Sequence, residues 1–141
     1  LDQGGHGTIS GTSMSSPHVA GAVALLLQAK PGILERRKHK QNFEPKEVKA
    51  RLQNNAKPSL WSGNPALGFL DYAHRQGAGL LNIADAITAP IDISPGALAI
   101  GEGAAGPQVR TLKIRNQGSA SVTLDLSDVT AVATGPKSQV K

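Results

Sequence analysis

At 141 residues the chain holds about one domain's worth of sequence, with 39% hydrophobic residues to build a core. The absence of cysteine excludes disulfides and thiolate metal sites, and the longest apolar stretch, 19–27, is broken by Gly21 and too short to cross a membrane. The net charge of +5 is local, because residues 30–57 carry nine Lys/Arg against three Asp/Glu and the remainder six against seven.

Residues 1–10 read as a Gly-rich loop leading into a short extended segment, with an abrupt start at Leu1 and no signal-peptide pattern. Gly11-Thr12-Ser13-Met14-Ser15-Ser16-Pro17-His18-Val19-Ala20-Gly21 then reads as a helix start, with Thr12 or Ser13 near the cap and Pro17 in the first turn. Residues 18–29 are apolar on nearly every face, which predicts a buried helix. A hydroxyl at such a helix start meets backbone N–H groups that lack helical partners and the positive end of the dipole. Those are the conditions that stabilise the oxyanion of an attacking serine, although an ordinary capping serine needs no more than the same position. His18 lies five positions after Ser13, about 140° around the helix at 100° per residue, and cannot reach the Ser13 oxygen. It reads as a structural histidine hydrogen-bonded near the helix start.

Lys30-Pro31-Gly32 is a helix stop, followed by a basic loop over 33–43 that peaks at Arg36-Arg37-Lys38-His39-Lys40. With no aromatic side chain interleaved in the basic peak Arg36–Lys40 and no recognition fold around it, this loop reads as solvated surface, and no nucleic-acid partner is expected. A second helix is predicted over 44–56, with Pro45 at its first position, Glu47 and Arg51 as an i,i+4 pair, and Val48 and Leu52 on one face. Pro58, Gly63, Asn64-Pro65 and Gly68 break residues 57–76 into irregular chain. Asn82 then caps a short helix ending near Ile87.

After Ala89-Pro90 the period changes to two. Ile91–Ile93, Ala97–Ile100, Val109–Arg115 and Ser121–Leu126 are predicted strands, with Asn116–Ser119 as the turn between the last two. Gly101–Gly106 matches GxGxxG, but Pro107 and a strand follow where the dinucleotide fingerprint needs a helix, so it reads as a loose hairpin loop. Four histidines without Cys or a His-Glu-x-x-His spacing predict no metal site, and no cofactor is expected. Ser15 occupies the position where an esterase elbow needs glycine.

The stretch Gly11–Gly21 closely resembles the nucleophile motif of the subtilisin-like serine proteases, with Ser15 where the family usually has Ala. Pro45-x-x-Val48-x-x-x-Leu52 and Gly77-x-Gly79-x-Leu81-Asn82 resemble two later segments of the same catalytic domain, and the three cover about residues 9–88. The resemblance implies an α/β fold. Residues 1–88 would be the C-terminal part of a doubly wound parallel-sheet catalytic domain, and 89–141 the start of a fibronectin-type-III-like β-sandwich. It implies serine endopeptidase action on polypeptides, with Ser13 as nucleophile, its own N–H donating to the oxyanion, and Gly11, Thr12, Met14, Pro17 and His18 as supporting motif. The Asp, the His base and the oxyanion Asn would lie upstream of Leu1, and the protein would be secreted, extracellular or in the cell envelope. His6-Gly7-Thr8 resembles the family's histidine motif, but only six residues and a turn separate it from Ser13, so His6 reads as a loop residue. Two rival readings are a catalytically dead relative and a binding module whose working part is the sandwich.

Overall fold

In the computed structural model, which describes residues 7–35, 45–99 and 107–132, the apolar run after Ser13 forms the longest element, α1 (Thr12–Ala29). The chain divides into two compact units, Leu1–Phe43 and Glu44–Lys141. Asp2 and His6, most of the basic loop, and Gly101–Gly106 lie outside the described residues.

In the first unit the cap of α1 is Gly11, in extended backbone, and no side chain caps the helix. Thr12 and Ser13 are therefore the first two helical residues and not caps. Pro17, expected in the first turn, sits inside the helix as a result, where it has no N–H to offer the Ser13 carbonyl. The expectation of a buried helix is corrected as well. Ala22 and Leu26, one turn apart, are buried, whereas Val19 (45%) and Leu25 (51%) are exposed. A helix apolar all round needs neighbours on every side, and the only other element described in this unit is the single turn α2 (Gly32–Glu35). That turn replaces the start of the expected loop. The stop signal holds: the Lys30 N–H donates to Leu26 O at 2.9 Å and the helix ends at Ala29.

The second unit begins with α3 (Pro45–Asn54), which starts at the expected proline and buries Val48 and Leu52. Arg51, expected as an i,i+4 partner of Glu47, is buried with them. Residues 55–82 hold little regular structure but are stitched together. Lys57 pairs with Leu80 and Leu60 with Leu70, while the Gln76 amide accepts from Ser59 N–H (2.8 Å) and donates to Asp71 O (2.9 Å). Gly79 has φ +112°, and a Cβ there would lie 2.4 Å from the Lys57 carbonyl, so only glycine lets the two segments approach. After the short turn α4 (Ala73–Gln76) comes α5 (Ile83–Thr88). Its cap is Asn82, as expected: the side-chain oxygen accepts from Asp85 N–H at 3.1 Å, and the side-chain amide donates to the Asp85 carboxylate at 2.8 Å.

Strand β1 (Ile91–Ser94) follows and pairs antiparallel with β2 (Lys113–Asn116), Ile91 opposite Asn116 and Ser94 opposite Lys113. The strand expectations are corrected here. Residues 97–99, 109–112 and 121–126 form no strand, and β2 pairs with β1 rather than with 121–126. The Asn116 turn does form, its side-chain oxygen accepting from Gly118 N–H at 2.8 Å, but no strand follows it. Alternation marks a segment as able to pair without naming its partner. Among the described residues there is a two-stranded sheet, and neither a sandwich nor a parallel sheet. No helix among them is long and apolar enough to cross a membrane.

Candidate active site

Ser13 is the second residue of α1, and it is exposed. The first helical amide bonds run from Met14 N–H (3.0 Å) and Ser15 N–H (3.3 Å) to Gly11 O. The Ser13 N–H precedes them, so helix geometry supplies it with no partner and leaves it at the positive end of an 18-residue helix. The Ser13 hydroxyl has no hydrogen-bond partner among the described residues. One residue at the start of α1 thus offers an exposed hydroxyl and an amide that no helical carbonyl engages.

The supporting residues fasten the turn around it. The Ser15 hydroxyl donates back to Gly11 O at 3.4 Å, a contact that the motif reading did not foresee. His18 Nδ1 lies 2.7 Å from Met14 O; since a carbonyl only accepts, Nδ1 carries the proton and donates it. His18 is thereby tied to its own helix, as read from its position. The Met14 sulfur lies 3.7 Å from where a Cβ would stand on Gly11, so the thioether covers the glycine that enters the helix. Met14 is half-buried. Among the described residues no group of three His, Asp or Glu is gathered to hold a metal ion.

Residues 1–79 match the model of the Subtilase family. The chain belongs to that family. The matched stretch takes in Ser13 and its turn, α3, and the Gly79 crossing, and Subtilase membership implies an α/β fold. Over 130 residues the chain is also 36% identical to the minor extracellular protease Vpr of Bacillus subtilis (strain 168). That similarity covers 87% of this chain, so it runs well past residue 79, but the chain spans only 14% of the length of that relative. The sequence offered Arg51 only as the i,i+4 partner of Glu47, and the sole signal of its burial was its place three residues after Val48 and next to Leu52.

Proposed function

We propose that this chain supplies the nucleophile of a serine endopeptidase, and that residues 1–88 complete the C-terminal part of its catalytic domain. Ser13 Oγ attacks the scissile carbonyl of a polypeptide and passes its proton to a histidine elsewhere in the full-length protein. The oxyanion takes a hydrogen bond from Ser13 N–H and a second from an asparagine outside this segment. Collapse expels the amine and leaves an acyl-enzyme that water hydrolyses. Aspartate and histidine precede serine in the subtilisin chain order, which puts both upstream of Leu1. The observation that carries the reading is Ser13 itself, exposed at the second position of α1 with an amide that no helical carbonyl engages.

Residues 89–141 begin a fibronectin-type-III-like module in this reading, and the protein works outside the cell, as the name of the Bacillus relative says of that protein. The test is a fluorophosphonate label applied to the full-length protein. Covalent labelling of Ser13, lost in Ser13→Ala, is the expected result. A folded protein that cleaves no peptide and takes up no label would instead be a dead relative in which Ser13 survives only as a helix residue.

A further inference from the structure

Among the described residues the buried core contains one charge, Arg51, at 6% exposure. The peptidase chemistry has no use for it. Its Nε donates to Ala86 O at 2.5 Å, its Nη2 to Ala89 O at 2.6 Å, and its Nη1 to the Asp92 carboxylate. Ala86 and Ala89 lie at the end of α5, where a helix leaves carbonyls without partners and a cation is favoured. Asp92 is in β1. One side chain of α3 therefore grips the last turn of the proposed catalytic part and the first strand of the proposed β-module, on both sides of the 88/89 division.

Two contacts independent of Arg51 reinforce the grip. Asn54 Nδ2 donates to Ile93 O at 2.9 Å. Gly96 runs so close to α3 that a Cβ on it would stand 2.8 Å from Ala50 Cα. From the other side, Gln117 N–H donates to Pro90 O at 2.7 Å and holds the end of β2 to the start of β1.

Modules joined by a short connection move relative to each other by default. Arg51 opposes a joint of that kind, because each opening would separate the guanidinium from Ala89 O and the Asp92 carboxylate. We infer that the 88/89 junction is a rigid clasp: Arg51 fastens the β1–β2 pair to α3 and α5 as one body, so that the β-segment moves with residues 45–88 and not on a tether. The inference rests on the 88/89 division proposed above but does not depend on Ser13 being active.

Hydrogen exchange of the full-length protein, resolved by peptide, tests it. Residues 86–94 and 113–117 should exchange with the same protection as 48–52, within about threefold, because they open together. Arg51→Met keeps an unbranched apolar stem and removes the three bonds, and should speed exchange at 86–94 and 113–117 at least about tenfold. Lys57→Ala removes the exposed pair with Asp85 and should change neither. Exchange at 89–94 in the unaltered protein at least about tenfold faster than in α3 would overturn the clasp. So would an Arg51→Met protein that folds and exchanges as before. Should Arg51→Met not fold, the comparison within the unaltered protein decides alone.

Discussion

Ser13 and His18 stand about one and a half turns apart on α1 and are committed to different partners. The Ser13 hydroxyl and amide face outward with no helical partner, whereas the His18 proton is held by Met14 O. In the full-length protein Ser13→Ala should remove turnover by a factor on the order of 10⁶, the loss that deleting the nucleophile causes in subtilisin, from which the figure is taken. His18→Ala loses one exposed hydrogen bond, so it should cost no more than about 1 kcal/mol in denaturant unfolding and spare kcat in the folded protein. A kcat loss for His18→Ala as deep as that for Ser13→Ala would mean that the base is here and not upstream. Met14 makes a separate prediction. Its half-buried sulfur sits over Gly11, next to Ser13, and a sulfoxide oxygen there would crowd the turn. Peroxide should lower the activity of the parent protein and leave Met14→Ala unaffected; equal sensitivity in both would put the damage elsewhere.

Among the elements, the two devices around α5 differ in kind and should differ in cost. Asn82 caps α5 through two exchangeable polar contacts with Asp85, and Asn82→Ala should cost about 1 kcal/mol. Gly79 combines a left-handed φ with a backbone crossing that leaves no room for a methyl group. Gly79→Ala should cost about 1–3 kcal/mol from backbone strain before the clash with Lys57 is counted. Urea unfolding of the two variants checks the order, and a milder Gly79→Ala would show that the 57/80 crossing yields. α3 owes its position to a similar contrast. Val48 and Leu52 would bury it against any apolar surface, but Arg51 admits only a surface that offers two carbonyls and a carboxylate in the right places.

On the scale of the whole molecule, the exposed Val19 and Leu25 on α1 leave apolar surface that water meets directly. The 141-residue chain by itself should therefore have no peptidase activity and should bind a hydrophobic dye. Its thermal unfolding should lack a single cooperative transition. A sharp transition with no dye binding would show that the chain is self-sufficient. The clasp also bears on how the binding-module alternative is tested. Cutting the full-length protein after residue 88 would remove Asp92 and leave Arg51 buried without its carboxylate, so lost activity in that truncation would report instability and not a role for the β-segment. Arg51 replaced by an apolar residue in the same truncation separates the two.

Several features were legible in the amino-acid order alone: the start of α1 and the serine at its tip, the stop at Lys30-Pro31-Gly32, the proline that opens α3, the Asn82 cap, and strand β1. Each is written within a few neighbouring residues, as a backbone preference or a hydrogen bond that spans at most one helical turn. Tertiary structure decided the rest. It set which face of α1 is covered, placed Arg51 in the α5–β1 corner, and paired β1 with β2 across more than a dozen residues instead of 109–115 with 121–126. Periodicity says that a side chain has a face to bury or a backbone edge to pair, but the partner is chosen by what the chain brings alongside. For Arg51 and Asp92 that partner lies 41 residues away.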